Sequence, residues 1–166
     1  MSVLLRTAFD RFKGKSPQGL IKLTQSMGGG KTHNMNSLGL LARNPEFRPK
    51  VIGNDYKDDG LDKVEVIAFS GRESNAPKGI WGELARQLGR ENEFKALWES
   101  GLRAPGQSEW INMLKGRPKL ILLDELPPYL ENARTIPVGT GDLSMLQQLL
   151  SLIYLMQPTG RSFQIF

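Results

Sequence analysis

The sequence contains no cysteine and a single histidine, His33. The absence of cysteine excludes disulfide bonds and thiolate metal sites, and it is compatible with the reducing cytosol, where we expect the protein to act. With one histidine in the chain, serine–histidine catalysis would have to use His33 itself. The sequence also has no apolar run approaching the ~20 residues that a helix needs to cross a membrane, so we expect no membrane partner.

The chain lacks any run of five or more lysines and arginines, although its formal net charge is +5. Basic residues are interspersed with acids, as in the segment Asp55-Tyr56-Lys57-Asp58-Asp59. This mixture favours a mildly basic solvated surface over a dedicated DNA-binding patch. The length of 166 residues and the hydrophobic content of 39% are typical of one domain with its own core.

A glycine-rich segment follows the first apolar run of the chain. The run Leu20-Ile21-Lys22-Leu23 predicts a strand, and the chain then reads Gly28-Gly29-Gly30-Lys31-Thr32 before a helical pattern begins. Glycines allow positive φ angles that turn several N–H groups toward one anion, and the next helix directs its positive dipole end to the same place. Lys31 can reach the β- and γ-phosphates of a nucleotide, and the Thr32 hydroxyl can ligate Mg²⁺.

This loop departs in one position from the usual pattern G-x-x-x-x-G-K-[ST], because Gln25 stands where the first glycine is expected. Gly28 and Gly29 can supply the flexibility that Gln25 lacks. The alternative interpretation is a flexible turn followed by a solvated lysine, with His33 as an ordinary residue at the start of the helix.

A second motif lies at residues 120–125, where four apolar residues are followed by Asp124 and Glu125. A short unbroken apolar run predicts a strand buried on both faces of a parallel sheet, and such sheets bind ligands at the carboxyl ends of their strands. Asp124 would hold Mg²⁺, directly or through water, and Glu125 would act as the general base on the attacking water. The alternative is an ordinary strand that ends in a charged turn, since Pro127-Pro128 indicates a turn. The two motifs in this order indicate nucleotide binding.

Hydrophobic periodicity gives the remaining elements. The predicted helices cover residues 3–12, 32–42, 80–88, 94–98, 109–114 and 143–156, and the predicted strands cover residues 20–24, 64–69 and 120–123. The polar segment 48–62 is predicted to be a loop that includes a short strand at Val51-Ile52. Strands that alternate with helices predict an α/β fold with a mostly parallel sheet. We expect residues 1–18 to form an N-terminal helix and lead-in, and residues 19–166 to form the nucleotide-binding core.

Two longer stretches carry a family resemblance. They are Leu23-Thr24-Gln25-Ser26-Met27-Gly28-Gly29-Gly30-Lys31-Thr32-His33 and Leu122-Leu123-Asp124-Glu125-Leu126-Pro127-Pro128-Tyr129-Leu130. Both resemble the bacterial P-loop ATPases of domain-of-unknown-function family 499, AAA-like proteins often found in anti-phage defence loci. The likeness covers roughly residues 2 to 150, and glutamine at position 25 is similar to the family form.

The resemblance implies a P-loop NTPase three-layer sandwich that binds ATP and Mg²⁺ and acts in a bacterial complex. It assigns the nucleotide-binding loop to Gln25, Ser26, Met27, Gly28, Gly29, Gly30, Lys31, Thr32 and His33. It assigns the metal to Thr32 and Asp124, and catalysis to Glu125 and Lys31. Partner proteins, further copies of the chain and DNA are the partners that such a complex implies.

Family members are several times longer than this chain, so the resemblance also implies an N-terminal fragment. Such ATPases have an extra strand, with a sensor residue, beside the acid-bearing strand. We expect this chain to be marginally stable unless residues 162–166 fill that gap, because unpaired strand edges in a dry core cost on the order of 1–3 kcal/mol per group.

Four functions remain open at this point: an ATPase, a truncated nucleotide-binding module without turnover, a DNA-binding domain and a small-molecule kinase. The kinase has the least support, because Asp124-Glu125 after the strand suits activation of water better than transfer to a substrate hydroxyl. Arg72 and Glu73 follow the predicted strand 64–69. They would contact nucleotide or substrate in one interpretation, but a polar loop or a helix-capping cluster is favoured.

Overall fold

The computed structural model describes residues 2–23, 30–53, 56–57, 60–72, 76–133 and 163–165. The fold is α/β, as the alternation of patterns predicts. The helices are α1 (Ser2–Phe12), α2 (Lys31–Arg43), α3 (Arg48–Ile52), α4 (Gly79–Gln87), α5 (Glu91–Phe94), α6 (Gln107–Leu114) and α7 (Leu126–Ala133). The strands are β1 (Glu65–Ser70), β2 (Lys119–Asp124) and β3 (Phe163–Ile165), and short 3₁₀ turns cover Pro45–Phe47 and Lys95–Leu97.

The chain divides into two units. The first unit comprises Met1–Val66, Arg117–Leu122 and Met156–Phe166, and the second comprises Ile67–Gly116 and Leu123–Leu155. No helix in the described part of the chain is both long enough and apolar enough to cross a membrane.

The three strands form one sheet in the order β1-β2-β3. The pairing of β2 with β3 is parallel, with Lys119 opposite Phe163 and Ile121 opposite Ile165. Beside β1, Glu65 donates its N–H to Pro118 at 3.0 Å and Gly71 donates to Asp124 at 2.9 Å. Both bonds join residues at the same sequence separation, which a parallel pair requires. The central position of β2 explains its unbroken apolar run, and residues 163–165 occupy the strand edge that the sequence left open.

Helices α1 and α2 supply most of the core of the first unit. Their buried residues recur at helical spacing, which confirms the helices predicted over 3–12 and 32–42. The buried side chains of this core are Leu5, Ala8, Phe9, Phe12, Met35, Leu38, Leu41, Ala42, Val64, Leu120 and Leu122. Gly39 allows α2 to approach the sheet, because a Cβ at that position would lie 3.2 Å from Leu122 Cδ1 and 3.5 Å from Val66 Cγ1.

The strand predicted at Val51-Ile52 is wrong, because these residues end the short helix α3. The cause is Arg48, which is fully buried at the start of α3. Its guanidinium donates to the carbonyl oxygens of Leu41 and Ala42, each at 2.9 Å. It also reaches the carbonyls of the segment that leads to β1, at residues 61 and 62. These bonds satisfy carbonyls at the end of α2, and they fix α3 where a strand was expected.

Three other predictions need correction. The strand predicted over 20–24 is reduced to an isolated bridge at Leu20, residues 21–23 form no regular element, and Thr24 lies outside the described residues. A strand requires a paired neighbour along its length, which an apolar run alone does not guarantee. The turn predicted at Pro127-Pro128 is the first turn of α7, where proline is accepted because its missing N–H has no helical partner.

The helix predicted over 94–98 is divided between α5 and the 3₁₀ turn Lys95–Leu97. The strands predicted over 64–69 and 120–123 are confirmed as β1 and β2, and the helices predicted over 80–88 and 109–114 are confirmed as α4 and α6. The helix predicted over 143–156 lies outside the described residues.

Candidate functional site

Gly30, the last glycine of the glycine-rich motif, has the backbone geometry that the motif predicts. Gly30 adopts a left-handed conformation, with φ 74° and ψ 20°, and Lys31 is the first residue of the helix. A side chain would strain this conformation, so glycine fits the position. Gly30, the N-cap residue, has no side chain with which to cap α2, and no acid lies in the first turn of the helix. The positive end of the helix dipole is therefore not offset by a carboxylate from its own helix.

Lys31, Thr32 and His33 form the first turn of α2. Lys31 is half-buried, while Thr32 and His33 are exposed. Gln25, Ser26, Met27, Gly28 and Gly29 lie outside the described residues, so their assignment to the phosphate-binding loop stays a prediction.

The two acids of the second motif lie at the carboxyl end of β2. Asp124 is the last residue of the strand and is half-buried. Its Oδ1 accepts a hydrogen bond from the N–H of Glu125 at 3.0 Å. Glu125 has a left-handed backbone with φ 50°, which is uncommon outside glycine and asparagine. Such strained residues persist only where their surroundings hold them, and they cluster at functional sites.

Arg72 holds the carboxylate of Glu125. Its Nη2 lies 2.9 Å from Glu125 Oε1, and the two side chains are 68% and 38% exposed. Arg72 follows β1 and Glu125 follows β2, and parallel neighbouring strands end at the same edge of a sheet. The sequence had favoured a polar loop or a capping cluster for Arg72. Arg72 lies in an exposed turn after β1, which agrees with a polar loop, and its pairing with Glu125 is a contact that the sequence did not predict, while Glu73 lies outside the described residues.

Gly71 allows this close approach of the two strand ends. A Cβ at Gly71 would lie 2.3 Å from the carbonyl oxygen of Glu125 and 2.9 Å from Cβ of Tyr129. Real side chains do not tolerate such distances, so only glycine fits here without a shift of the backbone. Sequence reasoning missed this role, because a close tertiary approach leaves no trace in local periodicity.

Tyr129 anchors the helix that follows Glu125. Its hydroxyl accepts a hydrogen bond from the N–H of Ile80 at 3.0 Å, near the start of α4. Its ring meets Phe69 of β1 edge-on, with ring centroids 5.0 Å apart. Burial raises the pKa of Tyr129, so the hydroxyl stays protonated across the physiological range. Because α7 begins at the residue after Glu125, these contacts limit the movement of the candidate base.

The predicted site residues fall into two groups. Lys31 and Thr32 belong to the first unit, and Asp124 and Glu125 belong to the second. Within the described residues, no group of three or more histidine, cysteine or acidic side chains is placed to hold a metal by itself. The Thr32 hydroxyl and the Asp124 carboxylate are hard oxygen donors. Mg²⁺ takes donors of this type together with phosphate oxygens and water, but the two residues belong to different units, so their assignment to one metal stays a prediction.

Comparisons of the chain with protein-family models, with curated proteins and with solved structures found no match.

Proposed function

We propose that the chain binds ATP with Mg²⁺ and hydrolyses it, as a P-loop NTPase with a three-layer fold. Support comes from the order of elements. A left-handed glycine directly precedes a lysine that opens a helix, and two acids end a buried parallel strand. The resemblance of both motifs to the family-499 ATPases supports the proposal further, including action within a bacterial defence complex.

Each side chain has a distinct role in this proposal. Lys31 and the amides at the start of α2 hold the phosphates, because an ammonium and a helix N-terminus both attract anions. The Thr32 hydroxyl and the Asp124 carboxylate ligate Mg²⁺, which neutralises charge on the phosphate oxygens. Glu125 accepts a proton from the attacking water.

The observation that carries the proposal is the conformation of Glu125. An acid with a left-handed backbone follows the central strand, its carboxylate pairs with Arg72, and its carbonyl oxygen lies 2.3 Å from the position that a Cβ would take at Gly71. Holding a non-glycine residue in this conformation costs on the order of 1–3 kcal/mol, and residues strained in this way cluster at functional sites. Glu125 directly follows β2, and open α/β sheets bind ligands at the carboxyl ends of their strands.

A phosphate-release assay tests the proposal with the variants Lys31→Ala and Glu125→Gln. We expect turnover to fall about 10²–10⁴-fold in Glu125→Gln, with ATP still bound, because the amide cannot accept the proton. We expect Lys31→Ala to lose both turnover and ATP binding. The control Glu99→Gln changes an exposed acid of the second unit and should behave like the wild type. Turnover that Glu125→Gln leaves unchanged would contradict the assignment of the base.

A second candidate function is nucleotide binding without turnover. The ion pair of Arg72 with Glu125 favours it, because the guanidinium occupies a carboxylate oxygen that would otherwise be open to the attacking water. The same assay distinguishes the two functions. ATP binding by a wild-type chain that releases no phosphate would indicate a binding module.

A further inference from the structure

A basic pocket lies in the first unit, apart from the residues assigned to ATP. Its volume is about 260 Å³, and we call it the α1 pocket. It is lined by Arg6, Asp10, Lys13, Lys15, Ile52, Tyr56 and Lys57. Among the described residues that line it, four are basic and one, Asp10, is acidic, an excess of three positive charges.

Lys13 is held in the pocket wall by several contacts. Its side chain is only 9% exposed, and its ammonium donates to the carbonyl oxygen of Lys57 at 3.0 Å. The same ammonium lies 3.8 Å from Asp10 and 4.7 Å from the centre of the Tyr56 ring. An ammonium that is already desolvated and held in place loses little entropy when an anion binds beside it.

The Tyr56 ring also packs against a second aromatic side chain, Phe9. Its centroid lies 5.7 Å from that of Phe9, with the rings edge to face, and Phe9 is fully buried. The pocket wall therefore combines a rigid aromatic side chain with lysines at its rim, because Lys15 and Lys57 are exposed. Aromatic area beside cations suits a ligand that has both an anionic group and a small organic part.

We propose that the α1 pocket binds a small phosphate-bearing ligand, with the phosphate held by Arg6, Lys13, Lys15 and Lys57. The volume supports a small molecule, since pockets for drug-sized ligands measure about 300–1,000 Å³. Lysines act as point charges toward phosphate, and arginine adds a bidentate donor. The site does not depend on the proposed ATPase function.

The test measures the binding of inorganic pyrophosphate by calorimetry in the Lys31→Ala background, where the proposed ATP loop has lost its lysine. The triple variant Arg6→Glu, Lys15→Glu, Lys57→Glu reverses three exposed charges of the pocket. We expect its dissociation constant to rise about tenfold or more, because three attractive contacts become repulsive. The matched control Lys50→Glu, Lys63→Glu, Lys95→Glu reverses three exposed lysines elsewhere and should change it less than about twofold.

Asp10→Asn tests the pocket in the opposite direction. Removal of the Asp10 carboxylate should tighten pyrophosphate binding, and retention of the melting temperature would show that the fold is intact.

Equal weakening in the triple variant and its control would overturn the proposal, because only the net charge would matter. A failure of pyrophosphate to bind, combined with triple-variant-sensitive binding of a twelve-nucleotide single strand, would overturn it in favour of nucleic acid. Pyrophosphate binding lost only in the triple variant would support the pocket even if no ATP turnover is found.

Discussion

At the scale of single residues, we expect the ion pair of Arg72 with Glu125 to matter more for function than for stability. Both side chains are substantially exposed, and exposed ion pairs contribute about 0–1 kcal/mol to the free energy of unfolding. The contact nevertheless joins the ends of two neighbouring strands and engages one carboxylate oxygen of the proposed base. In the proposed mechanism, the guanidinium thereby occupies an oxygen that would otherwise accept the proton of the attacking water.

The variant Arg72→Ala should therefore raise the basal rate of phosphate release, by about two- to tenfold. Removal of the guanidinium frees the carboxylate oxygen that it engages, which leaves that oxygen open to the attacking water. ATP affinity and the melting temperature should stay close to wild type, since the pair is exposed. The double variant with Glu125→Gln should be inactive. A rate that falls in Arg72→Ala would mean that the arginine assists turnover, contrary to this prediction.

Gly71→Ala should destabilise the second unit. The new methyl group would meet the carbonyl oxygen of Glu125 at 2.3 Å, so the backbone must shift. Overpacking of this kind costs about 1–3 kcal/mol, which corresponds to a loss of roughly 2–10 °C in melting temperature for a chain of this size. A thermal melt checks this directly. The control is Gly106→Ala, where the nearest atom to the new Cβ lies at 3.7 Å, and its melting temperature should be nearly unchanged.

At the scale of elements, α6 shows how one acid can define the start of a helix. Glu109 Oε2 accepts the N–H of Gly106 at 2.7 Å, and Arg103 forms a two-pronged contact with the same carboxylate. The hydrogen bond from Arg103 lowers the pKa of Glu109, with the backbone bond from Gly106 acting in the same direction. The carboxylate must be ionised for both contacts.

Stability should accordingly depend on pH through Glu109. Its folded pKa lies below that of the unfolded chain, about 4.3, so the stabilisation is present above that value. It is lost as the pH falls through the lowered folded pKa. Urea unfolding of the wild type and Glu109→Gln from pH 7 to pH 3 measures this, and the difference between them should shrink as the pH falls. A difference that stays constant over this range would show that the carboxylate contributes nothing through its charge.

The elements also show which parts of the fold could be predicted from sequence. Helices α1 and α2 were predictable because their buried residues repeat with local helical spacing. Helix α3 was not, because Arg48 places it through bonds to carbonyls at both neighbouring segments. Helices α1 and α2 are determined by residues close together in sequence, whereas α3 is determined by tertiary hydrogen bonds.

The candidate site divides in the same way. Lys31, Thr32, Asp124 and Glu125 were found by residue type and order, since phosphate and Mg²⁺ chemistry requires those groups. Gly71 and Tyr129 act through close packing and a hydroxyl that caps α4, and no sequence pattern marks such roles. The sequence therefore indicates the chemistry of the site better than it indicates what holds the site in place.

At the scale of the whole molecule, the sheet places the acid-bearing motif at the end of its central strand. The acid-bearing strand β2 lies between β1 and β3, so both of its edges are paired where the structure describes them. Phe163–Ile165 pairs with one edge of β2. Without this strand, the backbone N–H and C=O groups along that edge would be left unpaired in the core. The sequence predicted marginal stability if this strand edge stayed unpaired, and the edge is paired over residues 119–121.

The most direct test of the nucleotide assignment is equilibrium binding of Mg²⁺·ATP to the purified chain by calorimetry. We expect saturable binding with a dissociation constant in the range of about 1 μM to 1 mM. Lys31→Ala should weaken it about tenfold or more, while the exposed control Lys63→Ala should leave it unchanged. No saturable binding by the wild-type chain, or equal binding by wild type and Lys31→Ala, would contradict the assignment.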